Sequence, residues 1–303
     1  MANVVRLEDA PRRWEVHDGS EFAPNELFHG TGTFRLGHRD TEFLDALYKH
    51  NFLALRHLPG TWPTSGKRVL QLWEHGLIAR CKVPKYGGER WEYAYSLTDL
   101  GMECLRFDSP EDPLGEGDWK PPFMHRGGKA PLQHQLDLAD LCTGLERYIR
   151  TRELEVWWMG SGRETIIIPA KNPRQRGVQL HPDAVIHSST PNWLLIELQH
   201  DNRYQRVAEH LDGYAKMYAR KAWENWQKPP MVLMSLRDRA ATRGPAPFET
   251  AMQMARMMPA LFGWLYLIRE DAWRTGTWVA VSPDPDESEV NLFDITTRRW
   301  LGE

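Results

Sequence analysis

The feature that most constrains this chain is a carboxylate embedded in an apolar strand. Trp193-Leu194-Leu195-Ile196 reads as a buried strand and runs straight into Glu197-Leu198-Gln199. Alternation along a strand puts Glu197 and Gln199 on one face and Ile196 and Leu198 on the other. A buried carboxylate is costly unless it is paired, hydrogen-bonded or metal-bound, so Glu197 needs a partner. A second acid sits just upstream: His181-Pro182-Asp183 leads into Ala184-Val185-Ile186, and the polar segment His187 to Asn192 turns the chain back. The pattern is a β-hairpin that brings Asp183 close to Glu197, followed by a helix carrying Arg203, Arg206, His210, Tyr214 and Tyr218. Two carboxylates and a backbone carbonyl form a hard oxygen site of the kind Mg²⁺ accepts. A metal there would activate water and stabilise a phosphodiester transition state. A purely structural reading has Asp183 capping a turn and Glu197 pairing with Arg203 or Arg206 at a solvated strand end.

Pro182-Asp183 followed by Glu197-Leu198-Gln199 resembles the PD-(D/E)xK nuclease motif, with Gln199 where the motif carries Lys. A neutral amide can orient water but supplies no positive charge. Losing such an electrostatic contributor costs about 10²–10³-fold in rate, roughly 3–4 kcal/mol. Some restriction endonucleases of that superfamily carry a residue other than Lys there. His210-Leu211-Asp212-Gly213-Tyr214 resembles the Q-x-x-x-Y segment of RecB-like nucleases, with His for Gln.

With 303 residues the chain has room for two domains of roughly 100–200 residues each. Hydrophobic residues at 41% and charged residues at 26% are those of a globular protein. The absence of an 18-residue apolar run predicts no transmembrane helix, and the charged N-terminus has no signal-peptide core. Cys81, Cys104 and Cys142 show no metal spacing, which fits a cytoplasmic location and argues against zinc. The net charge of −3 means that DNA binding would need a local basic surface. No P-loop, nucleophile elbow or dinucleotide fingerprint is present.

Residues 1–38 read as an irregular arm. Phe43, Leu44, Leu47, Tyr48 and Leu55 predict an amphipathic helix that breaks near Asn51. Ser65 is a candidate cap for a second helix, with Val69, Leu70, Leu72 and Trp73 on its apolar face and an end at Gly76. Strands follow at 78–83 and 90–95, then a third helix with Ser96 or Thr98 as cap. This order resembles a winged helix-turn-helix over 39–106, in which the second helix enters a major groove and the wing touches backbone. Lys67, Arg68, Arg80, Lys82, Lys85 and Arg90 outnumber Glu74 and Glu89 there, giving a local charge of +4, with Gln71 on the same helix. A winged helix used for protein contact or dimerisation is the alternative.

Residues 107–131, rich in Pro, Gly and acids, read as a linker, and 132–303 as the second domain. That domain opens on a helix to about Arg152, with strands at 155–159 and 165–169. His134 reads as a packed or capping side chain, Glu164 as an additional candidate acid, and Lys171 to Arg176 as a basic turn. Gly160-Ser161-Gly162 reads as a turn. Further strands are expected at 230–235, 262–268 and 277–281, and a Met-rich helix at 247–258.

Winged helix, linker and PD-(D/E)xK-like domain in this order resemble the replication-relaxation family, whose members are linked to replication or DNA relaxation of plasmids and mobile elements. The resemblance rests on LIARCKV…YAYSLTDLG, APLQHQLDLADL, HPDAVI and LLIELQHDNRYQRVAEHLDGYAKMY, spanning roughly residues 40–235. It implies an α+β chain: an N-terminal winged helix followed by an α/β nuclease-like domain with a central mixed sheet. Asp183 and Glu197 would match the family's acidic positions, and the Lys position is often not Lys. Asp183 and Glu197 would hold Mg²⁺ if the site is active, Gln199 would orient water, and Arg203, Arg206 or Lys216 would steady phosphate. The expected partner is double-stranded DNA, with other replication or defence proteins and a homodimer as further candidates. The alternatives are an active Mg²⁺-dependent endonuclease of restriction or defence type, and a non-catalytic transcriptional regulator or assembly factor.

Overall fold

The structure is a computed structural model that describes residues 4–5, 34–58, 64–84, 91–108, 129–152, 156–161, 166–168, 177–188, 193–199, 204–223, 229–237, 247–287 and 289–291. Most of the expected N-terminal arm and linker, Glu164 and the turn Lys171 to Arg176 lie outside the described residues. The chain is a mixed α+β protein that divides into two compact units, Met1–Thr143 and Gly144–Glu303. The division falls inside one helix.

In the first unit β1 (Val4–Val5) pairs antiparallel with β2 (Phe34–Arg35). Helix α1 (His38–His50) buries Phe43, Leu44 and Leu47. Its first turn is closed by Asp40, whose Oδ2 accepts from the Gly37 N–H at 2.7 Å. Asn51 ends it with φ of 63°. That break removes Leu55 from the expected helical stripe. After β3 (Leu53–Ala54), Leu55 instead opens a single 3₁₀ turn and is exposed.

Helix α2 (Gly66–Glu74) is capped by Ser65 Oγ, which accepts from the Arg68 N–H at 3.2 Å, and it buries Val69, Leu72 and Trp73. Gly76 takes φ of 73° and turns the chain into β4 (Ile78–Pro84). β4 pairs antiparallel with β5 (Trp91–Leu97) in a register running from Ile78↔Leu97 to Pro84↔Trp91, and β3 flanks β5 on its other side. Ser96 belongs to β5, so Thr98 is the cap of α3 (Asp99–Asp108): its hydroxyl oxygen accepts from the Gly101 N–H at 3.1 Å. The same hydroxyl lies 2.7 Å from the Gly76 carbonyl and 2.8 Å from that of Leu77. Helix α4 (Lys129–Arg150) then crosses the division between the units.

The second unit is built on a seven-stranded mixed sheet of order β14-β13-β12-β11-β10-β9-β6. Strands β6 (Val156–Ser161), β9 (Ala184–Ser188) and β10 (Trp193–Gln199) form an antiparallel meander. Gly160 and Ser161, expected as a turn, are carried into β6 by pairing with Val185 and Ala184. β7 (Ile166–Ile168) and β8 (Val178–Leu180) form a separate antiparallel pair.

Helix α5 (Tyr204–Ala219) links β10 to its parallel neighbour β11 (Met231–Leu236). Helix α6 (Pro247–Arg256) precedes β12 (Leu265–Arg269), parallel to β11. Helix α7 (Glu270–Arg274), β13 (Val279–Val281) and β14 (Glu289–Asn291) complete the sheet; α7 and β14 are too short for periodicity to reveal. β11 is buried along its whole length, as a central strand must be. Leu195, Val232, Met234 and Leu267 on one sheet face pack with Val207, Leu211 and Tyr214 of α5 into a single apolar core.

Candidate functional site

The β9–β10 hairpin sets the geometry of the site. Its register pairs Ile196 with Ala184; one further step puts Asp183 opposite Glu197, on the sheet face covered by α5. Asp183 Oδ2 accepts from the Leu198 N–H at 2.7 Å, tying the half-buried acid to the neighbouring strand. Glu197 is 2% exposed, which removes it from the solvated strand end that the structural reading requires. Its oxygens are held from α5: the Tyr214 hydroxyl donates to Oε1 at 2.6 Å, and His210 Nδ1 lies 3.1 Å from Oε2. Gln199, also buried, places Nε2 3.0 Å from the same His210 nitrogen. His210 and Tyr214 are four residues apart, so one helix face presents both to one carboxylate.

Burial pushes the Glu197 carboxyl above the ordinary range; the His210 hydrogen bond opposes this, and the charge of Asp183 adds to it. His210 is raised chiefly by its hydrogen bond to Glu197, against its own burial. Tyr214 is fully buried and raised well above the ordinary phenol value, first by burial and then by Glu197. It is therefore a neutral donor at any physiological pH. Sequence reasoning identified the two acids and the helix, but not that His210 contacts both Glu197 and Gln199. The four-residue spacing of His210 and Tyr214 was the available signal.

A family model described as Replication-relaxation matches residues 44–230, which run from the middle of α1 through α5 and include both acids. The chain belongs to the replication-relaxation family. No curated protein and no solved structure matches it. Membership in the replication-relaxation family points to a role in plasmid or mobile-element replication.

The other candidate residues of this replication-relaxation protein are dispersed. Lys67 is exposed on α2 and Lys82 on β4. Arg68 is drawn into the protein: it donates to buried Asp40 at 2.8 and 2.7 Å, to the Arg35 carbonyl at 2.6 Å and to Gln71 Oε1 at 3.0 Å. The hydrogen bond to Asp40 raises its pKa further. Lys85, Arg90 and Arg203 lie outside the described residues. Arg206 is exposed on α5, one turn before His210. Lys216 pairs with Asp212 on the helix face turned away from His210 and Tyr214. Among the described residues, no group of three or more His, Cys, Asp and Glu side chains could hold a metal ion, and no helix is long and apolar enough to cross a membrane. Sequence reasoning also missed a network in the first unit. Arg56 donates to Asp140 at 2.8 and 3.0 Å and pairs with Glu92, while buried His57 lies 2.7 Å from Asp140.

Proposed function

We propose that this protein binds double-stranded DNA in the replication of a plasmid or mobile element, using the first unit as a winged helix and the second as a nuclease-like domain. The observation that carries the reading is the placement of Asp183 one step beyond the β9–β10 register, opposite buried Glu197, with α5 crossing from β10 to a parallel β11. A structural carboxylate would not be expected to sit beside a second acid while desolvated, since each charge makes the other more costly. For the first unit, support comes from the order α1, α2, β4, β5, α3 and from exposed Lys67 and Lys82.

The donor set suits Mg²⁺: both candidate ligands, Asp183 and Glu197, are hard carboxylates, and such an ion takes its remaining positions from water and phosphate oxygens. Bound there, it would polarise a phosphodiester and activate a water. Tyr214 and His210 orient Glu197 from α5, and the Leu198 N–H orients Asp183. Gln199 offers an amide where the motif has an ammonium, and its Nε2 lies against His210. This favours weak or absent turnover on a DNA-facing scaffold.

An active Mg²⁺-dependent endonuclease is the second reading, favoured by the closeness of the two acids. Incubating supercoiled plasmid with Mg²⁺ or Mn²⁺ separates them. The first reading expects retained binding with cleavage at least about 10²-fold below that of a lysine-bearing site. Rapid nicking abolished by both Asp183→Ala and Glu197→Ala would establish the second. Failure to bind any DNA would contradict both.

A further inference from the structure

The β4–β5 pair carries Lys82, already assigned to phosphate contact, together with aromatic side chains that the proposed duplex contact leaves unused. Residues opposite one another in an antiparallel pair share a face, so Lys82 with Tyr93 and Arg80 with Tyr95 lie on one face, and Trp91, two residues before Tyr93, lies on it too. Trp91 is 67% exposed, whereas Trp73 and Trp278 are buried. Two cations on the same face lie over other aromatic rings. The Arg80 guanidinium carbon sits 3.3 Å from the Trp73 ring centroid and 4.6 Å from that of Tyr93, and Lys82 Nζ lies 6.0 Å from Tyr93. Glu92 points to the opposite face, where Arg56 neutralises it, so no acid on β5 opposes an approaching polyanion.

We propose that this face binds DNA containing unpaired bases, with Trp91 stacking on an exposed base and Lys82 contacting the adjoining phosphates. The proposal rests on the DNA-binding reading and specifies its target. An exposed indole on the same strand-pair face as two cations matches a nucleic-acid strand in both hydrophobicity and charge. A fully paired duplex has its base faces already stacked, so Trp91 could engage it only by unstacking a step. A strand with free bases presents those faces without that cost.

The test uses the full chain and three fluorescently labelled DNAs: a duplex, the same duplex with an internal unpaired loop of about six thymidines, and the matching single strand. Anisotropy titrations should show the looped DNA bound at least about tenfold more tightly than the duplex. Trp91→Ala should weaken looped and single-stranded binding about 10- to 100-fold while changing duplex binding by less than about threefold. Trp91→Phe should restore most of the loss, and Lys82→Ala should weaken all three DNAs alike. Because Trp91 is exposed, its substitution leaves the core intact. No preference for the looped DNA, or equal effects of Trp91→Ala on looped and paired DNA, would overturn the proposal and leave duplex binding standing. Binding to none of the three would overturn the DNA-binding reading as well.

Discussion

At the scale of single residues, buried charge is tolerated in this protein where two or more partners converge on it. Asp140 shows the principle in the first unit. Burial alone would push its carboxyl up, but hydrogen bonds from His57 and Arg56, together with their charges, outweigh that and hold it well below the ordinary carboxylate range. A depressed folded-state pKa means stability that is present above the unfolded value near 4 and is lost as pH falls through that value toward the folded one. Asp140→Asn should therefore cost about 3 kcal/mol at neutral pH, because Arg56 loses a charged partner. It should also flatten the dependence of urea stability on pH below about 5. An unchanged acid profile would show that the network contributes little. Nearby His50 is held down to about 3, chiefly by burial, and adds to acid sensitivity as a neutral buried imidazole. None of this was legible in the sequence, because Arg56 and Asp140 are 84 residues apart. Asp183 and Glu197 were legible: a hairpin converts their separation along the chain into adjacency.

At the scale of elements, α5 positions the site, and its close approach to β8 depends on Gly213. A Cβ there would meet Leu180 Cδ2 at 2.4 Å. Gly213→Ala would gain about 1 kcal/mol of helix propensity but force Leu180 aside in a packed core at about 1–3 kcal/mol. The variant should come out destabilised by up to about 2 kcal/mol in denaturant unfolding. A net stabilisation would mean that Leu180 moves freely and that α5 is not set by this contact. Helices and central strands were read well from apolar spacing, since α1, α2, α5 and β11 each bury one coherent set of side chains. The hidden parts were the short ones. Asn51, with its positive φ, diverted Leu55 from its helical stripe, and pairing with β9 drew Gly160 and Ser161 out of their expected turn.

At the scale of the whole molecule, the replication-relaxation match over residues 44–230 agrees with the resemblance carried by the sequence over roughly 40–235. That likeness was visible because its motifs appear in order, although Gln199 departs from the nuclease pattern. The basic residues were harder to assign from sequence, which counts charges without showing where they point. Arg68 is bound up with Asp40, whereas Lys67 and Lys82 face outward. DNA binding through the first unit, as proposed, is tested most directly by a salt titration of duplex binding. Phosphate contacts predict that log K falls linearly with log salt, with a slope of about −0.9 per phosphate neutralised. Replacing both Lys67 and Lys82 by Ala should make that slope shallower by about 2 and weaken binding at low salt. Binding that is absent at low salt, or that neither salt nor the double substitution affects, would contradict the claim.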